Sequence, residues 1–435
     1  MVTRNVTLPQ QAGRSPSGWY ATIAVLVALI ALGIYAYSRE LSEGMAVTGM
    51  RNIGPMGGAT WGLYITFVVY FVGLSFAGIS TAAVIRLARI DRLRPISRMA
   101  ELLTVITLAL AGLAILADLG QPLRGIVNLF RYARPQSPFF GTFTLVISGY
   151  LFASLVYLYL DGRRDAWLSE QTAERHLGFY RLWAAGYRDT PAERERHDRA
   201  TFWLAIAIVP LLVTAHSTLG FVFGLQVGRP GWFSALQAPA FVILAGVSGL
   251  GMLAIIAAAV RRWLHREEEL TVAIFRWLST ALTILLLTYL YLVVVELLTN
   301  LYTGSSRERD VMSELLFGEY AWIYWGAVGT FVIALVLLLV RAALPSLRSA
   351  VWPVVAVGGL VNLGAIGKRY LIVVPSQTKG TLLPYDEGSY TPAWTEFALI
   401  IGLIALGVLA YLLFTRYFPI VELPRPATSE EKEAR

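Results

Sequence analysis

Of the four histidines in this 435-residue chain (His176, His197, His216, His265), only His216 falls inside an apolar run long enough to cross a bilayer. An ionisable side chain in such a run is costly, which makes it a functional candidate by default. His216 opens the stretch H-S-T-L-G-F-V-F-G, which ends in a Gly/Pro turn carrying Trp232 before Pro239 leads into the next apolar run. Two carboxyl groups sit comparably in other runs. Asp118 closes one in A-D-L-G-Q-P, and Glu296 stands between V-V-V and L-L-T-N near the end of another. Lys368 and Arg369 end a further run, and Glu396 lies near the start of the last. An imidazole and carboxyls at similar depth are acid–base groups that could move protons while a neutral, hydrophobic ligand exchanges with lipid. The expected roles are Asp118 and Glu296 as proton relays and His216 as hydrogen-bond partner of a ligand oxygen. Trp61, Trp232 and Tyr302 would shape the pocket entrance, although aromatic belts also mark every membrane interface.

The elements that position these residues follow from composition. The chain is 56% apolar and only 15% charged, against about 25% charge in soluble domains. Apolar runs recur at 19–38, 59–85, 99–117, 138–160, 202–224, 236–260, 275–299, 320–342, 351–367 and 394–415. Each approaches the roughly 20 residues that a bilayer core of about 30 Å requires. The expected fold is therefore an all-α polytopic membrane protein of about ten transmembrane helices. Residues 1–18 form an N-terminal tail, 161–200 a large solvated connector, and 416–435 a C-terminal tail. Ten spans put both termini on one side, and 25 of the 36 Lys and Arg residues fall on that side. Positive charge stays inside, so both termini are expected in the cytoplasm. The net charge of +8 then reflects cytoplasmic loops rather than nucleic-acid binding. On this orientation His216, 14 residues past Phe202, lies roughly 21 Å along its helix, in the outer third.

The chain has no cysteine, which excludes disulfides, cysteine-ligated zinc and iron–sulfur clusters held by this chain. One intramembrane histidine cannot supply bis-histidine haem ligation. Any metal centres in a redox function would belong to a partner.

A faint internal repeat is also present. A-G-I-S at Ala77–Ser80 matches A-G-V-S at Ala245–Ser248. Each is preceded by a tryptophan, Trp61 or Trp232, and followed by a helix with one acid near its outer end, Asp118 or Glu296. The expectation is two parallel four-helix bundles, helices 2–5 and 6–9, flanked by helices 1 and 10.

An ordered set of short motifs resembles the polysulfide reductase membrane subunit/NrfD family. The set comprises W-G-L-Y at Trp61–Tyr64, R-P-I-S-R-M-A-E at Arg94–Glu101, A-D-L-G-Q-P at Ala117–Pro122 and H-S-T-L-G-F-V-F-G from His216. K-R-Y-L-I-V-V-P-S and Y-T-P-A-W-T-E-F at Tyr390–Phe397 complete it. This ending is similar to the ten-helix branch that includes membrane subunits of hydrogenase-2-type, sulfite-reduction and alternative complex III assemblies. Two positions depart from the pattern: Gln121 stands where many members have Arg, and Phe76 where alternative complex III relatives have His. The resemblance implies a quinone-reactive subunit that exchanges electrons and protons with menaquinone or ubiquinone near the outer face. It also implies an extracytoplasmic ferredoxin-like iron–sulfur subunit as partner, often with a molybdopterin catalytic subunit beyond it. A rival reading, a secondary transporter, calls for helices broken at the midplane. Only the run at 351–367, with Pro353, Gly358, Gly359 and Gly364, looks interrupted.

Overall fold

In the computed structural model, residues 17–50, 59–88, 90–132, 134, 136–172, 177–378 and 389–422 are described. The outermost parts of both expected tails lie outside these residues.

Helices follow one another with short connections: α1 (Ser17–Glu43), α2 (Leu63–Leu87), α3 (Arg94–Asp118), α4 (Pro122–Tyr132), α5 (Thr144–Thr172), α6 (Leu177–Ala184) and α7 (Pro191–Gly224). Then come α8 (Gln237–Trp263), α9 (Val272–Tyr302), α10 (Ser306–Phe317), α11 (Ala321–Ala343), α12 (Pro345–Arg348), α13 (Trp352–Val373), α14 (Pro375–Thr378) and α15 (Trp394–Tyr417). Nine described helices are long and apolar enough to cross a membrane. The remaining expected span coincides with α2, whose described apolar part is Leu63–Gly78. The all-α polytopic expectation holds.

Two boundaries differ for a physical reason. The 161–200 stretch, expected as a solvated connector, carries helices: α5 runs into it to Thr172, α6 follows, and α7 starts at Pro191. Its charges read as solvated, yet Asp161 and Asp165 are buried. At the start of α7, Thr190 caps the helix by accepting from the Glu193 N–H, and proline occupies the first turn, where its missing N–H costs nothing. The second difference is α13, which is one continuous helix through Gly358, Gly359 and Gly364. Neighbouring helices supply the packing that offsets glycine's poor helix propensity.

Packing is dominated by a few close pairs. α2 lies against α3, α7 and α8; α5 joins α3 to α7; α13 lies against α8 and α11; and α9 contacts α8 and α11. The two matched segments meet: a Cβ on Gly249 would stand 2.9 Å from the Ala77 nitrogen. Small residues there let the backbones of α2 and α8 approach. α1 packs chiefly on α15, and a Cβ on Gly33 would stand 3.1 Å from the Gly402 Cα.

Two faces can be told apart by contacts. On the terminal face the start of α3 meets the end of α15, where Arg98 donates to the Pro419 carbonyl. On the distal face the end of α1 meets the start of α15, where the Gly49 N–H donates to Glu396.

Candidate functional site

The distal end of α2 is held by groups remote in sequence. Gln377 accepts at Oε1 from the Trp61 N–H at 3.1 Å and the Thr60 hydroxyl at 2.9 Å. Its Nε2 donates to the Trp61 carbonyl at 2.8 Å. The Leu63 N–H, an orphan donor of the helix start, donates to the Tyr390 phenol at 2.7 Å, and that phenol in turn donates to Glu396. Glu396 is fully buried, accepts from the Gly49 and Ala393 N–H groups at 2.8 Å, and is therefore a structural anchor rather than an interfacial charge.

This anchoring sets Trp61 and Tyr64. Trp61 stacks on Trp232 with centroids 5.6 Å apart and planes 20° from parallel. Phe223 of α7 meets both rings edge-on, at 5.9 Å and 5.1 Å. The Trp232 indole N–H donates to the Ile372 carbonyl at 2.6 Å. The tryptophans of the two matched segments are thus one stacked pair where α2, α7 and α13 come together. Tyr64, one turn in from Trp61, donates to Glu40 of α1 at 2.9 Å. Asp118 is 4% exposed and lies within electrostatic reach of Tyr64. The distal end of α2 and α3 therefore gathers two buried carboxyl groups and a phenol beside an aromatic stack.

His216 stands two turns deeper in α7 than Phe223 and is 1% exposed. Its Nδ1 lies 2.8 Å from the Leu212 carbonyl and its Nε2 lies 2.9 Å from the Val72 carbonyl of α2. Phe76 and Tyr150 enclose the ring edge-on at 5.3 Å and 6.1 Å. Both contacts face acceptors, and a neutral imidazole has a single N–H, so only one of them is a hydrogen bond unless the ring is doubly protonated. The geometry ties α7 to α2 and leaves neither nitrogen facing an open space.

Glu296 lies elsewhere, between α9, α8 and α13. Its carboxylate is 2.8 Å from the Lys368 ammonium. The pair borders a narrow cleft that is also lined by Arg369, Gln237 and Tyr289. Tyr302, at the end of α9, is 89% exposed and lines neither this cleft nor its neighbour beside α10. Of the residues singled out from sequence, the structure brings Trp61 to Trp232 and packs Phe223 against both. It places His216, Glu296 and Tyr302 in separate surroundings.

Glu40, Tyr64, Gln377 and Tyr390 were missed by the sequence reading. Glu40 falls just beyond the expected first span, and α1 in fact runs to Glu43. Tyr64 was legible as part of W-G-L-Y, but its partner lies 24 residues earlier on another helix. No group of three or more His, Asp or Glu residues is placed to hold a metal ion among the described residues.

Comparison with known proteins joins this geometry to a family. The family model described as "Polysulphide reductase, NrfD" matches residues 51–379. A dimethyl sulfoxide reductase membrane subunit of Halobacterium salinarum is 31% identical, over 93% of this chain and 91% of its own length. A selenate reductase subunit of Mesobacillus selenatarsenatis is 25% identical, over 92% and 94%. The "Hdr-like menaquinol oxidoreductase integral membrane subunit" of Archaeoglobus fulgidus is 25% identical, over 95% and 96%. The family match spans most of the chain, and the chain belongs to the polysulphide reductase NrfD family.

Proposed function

We propose that this chain is the quinone-reactive membrane subunit of a multi-subunit oxidoreductase, with its quinone site at the distal ends of α2, α3 and α7. The observation that carries the reading is the Tyr64–Glu40 hydrogen bond one helical turn from the Trp61–Trp232 stack, with the buried Asp118 carboxyl within electrostatic reach of Tyr64. A quinone substrate is a flat, neutral ring whose redox change moves two electrons and two protons. The aromatic stack suits the ring, and the acids suit the protons. Menaquinone is the favoured substrate, since the Archaeoglobus fulgidus relative carries menaquinol in its name.

In this reading Asp118 exchanges a proton with a quinol oxygen, and Tyr64 with Glu40 continues the path toward the distal face. Glu296 is less suited to that task because Lys368 already holds its charge. His216 acts from below by fixing α7 against α2. Electrons pass to or from an iron–sulfur subunit docked on the distal face, with a molybdopterin-type catalytic subunit beyond, since a chain without cysteine has no thiolates to hold a cluster. We place the distal face outside the cytoplasm, because 25 of the 36 basic residues fall in the sequence segments expected on the side of the termini. Transport is disfavoured by the continuity of α13.

The test is quinol-analogue turnover by the assembled complex carrying Asp118→Asn. Loss of a general acid–base group should lower turnover on the order of 100-fold or more, while subunit assembly and bound quinone are retained. An Asp118→Asn complex that turns over at the native rate would place the site elsewhere.

A further inference from the structure

Arg369 of α13 is 2% exposed. Its guanidinium carbon sits 4.1 Å over the Phe241 ring, and Nη2 makes one long contact, 3.3 Å, to the Phe241 carbonyl. Nη1 has no hydrogen-bond partner. A guanidinium carries five donors in a rigid fork that matches carboxylate and phosphate. A buried one without an anion is costly in any protein interior and more so in a membrane. The carboxylate that lines the same cleft, Glu296, is taken by Lys368 at 2.8 Å. The lining of this cleft therefore holds two cations and one anion, and Glu308, which lines the neighbouring cleft with Lys368, is engaged by the Ser305 N–H.

The walls and the depth limit what can supply the counter-ion. The walls are apolar: Leu236, Ala240, Leu292 and Val293. The Glu296 side chain is 24% exposed, so the polar floor is reachable from outside the helix assembly. α9 has 31 residues, hence a length of roughly 46 Å, and overshoots a hydrocarbon core of about 30 Å by roughly 8 Å at each end. Glu296 lies six residues before the last residue of α9, roughly 9 Å below it. With α9 centred on the core, the charged floor sits at the hydrocarbon edge, just below the lipid phosphates, with an apolar wall below it for an acyl chain.

We propose that the cleft between α8, α9 and α13 binds the phosphate of an anionic membrane lipid, with Arg369 as its principal contact and Lys368 and Gln237 beside it. The lipid completes the charge balance of the distal end of α13, the helix whose Ile372 carbonyl receives Trp232. This site is separate from the quinone site and does not rest on that reading.

The experiment uses the full chain in its complex, purified in a neutral detergent, and measures retention of phosphatidylglycerol against phosphatidylcholine by mass spectrometry. The expected result is phosphatidylglycerol bound in preference, and binding weakened by tenfold or more in Arg369→Gln, as expected for loss of a charged hydrogen-bond donor. Arg369→Lys, which keeps the charge and loses the fork, should bind more tightly than Arg369→Gln and less tightly than the native chain. Glu296→Gln releases Lys368 and should tighten binding, a change of opposite sign that misfolding would not produce. Inorganic phosphate at millimolar concentration should fail to displace the lipid. Equal retention of the two lipids, or unchanged binding in Arg369→Gln, overturns the proposal. Occupation by inorganic phosphate with no preference for the anionic lipid also overturns the assignment to lipid. Asp118→Asn should leave lipid retention unaltered, which separates this outcome from failure of the quinone reading.

Discussion

Two arginines, Arg98 and Arg369, are almost equally buried at opposite faces of the molecule, and their surroundings could hardly differ more. Arg98 reaches Asp165 at 2.7 Å, Asp161 at 3.1 Å and the carbonyls of Pro419 and Asp161. Asp161 also binds Arg86 at 2.9 Å, and Phe418 lies 5.4 Å under the Arg98 guanidinium. Trp183 then stacks on Phe418 at 4.4 Å and closes the cluster. Arg369 has one ring, one long carbonyl contact and a donor with nothing to bind. A saturated network of this kind cements α3, α5 and α15 and leaves no room for a ligand. An unsaturated cation facing a cleft marks a place where something outside the chain belongs.

The contrast can be broken in several ways, beginning with an all-or-none test. A reporter active only outside the cytoplasm should work when fused within 225–235 or 303–318 and fail within 165–195. The reverse pattern would exchange the inner and outer assignments of the two arginines. Next, Arg98→Ala removes the guanidinium shared by Asp161 and Asp165 and leaves Arg86 alone to hold Asp161, and breaking such a buried pair costs roughly 3–5 kcal/mol. The expected result is loss of folded chain from membranes, with Arg98→Lys recovering only part because one ammonium cannot form both forks. Full expression and an unchanged melting temperature for Arg98→Ala would deny the cluster its structural role. His216→Ala should lower thermal stability by roughly 1–3 kcal/mol through the lost tie between α7 and α2; an unchanged melting temperature would mean the imidazole is kept for another purpose. The smallest effect is expected for Gln377→Ala. It frees the Trp61 backbone and should weaken quinone retention a few-fold, about 1 kcal/mol; retention at the native level would show that the tryptophan stack positions itself.

The chain's class was plain from its sequence because ten apolar runs leave little alternative in a membrane. Its sites were less so, since a motif shows a residue type and not its partner. R-P-I-S-R-M-A-E stood out as a match, but the carboxylates that explain Arg98 lie 63 and 67 residues later. They sat in a stretch whose dense charge looked like a solvated loop. His216 was legible as a buried ionisable group, and its use by two backbone carbonyls was not. Trp61 and Trp232 were paired by the repeat alone, and the structure stacks them. Arg369 looked like a charge at a helix end, where snorkelling to water is cheap. The packing of Phe241 over it removes that escape.

The close approach of Gly33 to Gly402 has a consequence for how the protein is made. α1 is the first of the described helices to leave the ribosome, yet its main packing partner is α15, the last. A Cβ on Gly402 would stand 3.0 Å from the Gly33 Cα, so the two backbones fit only when both are present and correctly registered. Until α15 has been made, α1 must wait in lipid with its Gly33 face uncovered, and Glu40 rests on what α2 can offer through Tyr64. The docking of α15 on α1 therefore closes a ring late in synthesis. A chain truncated before residue 394 would leave α1 without its principal neighbour however well the helices between them had folded.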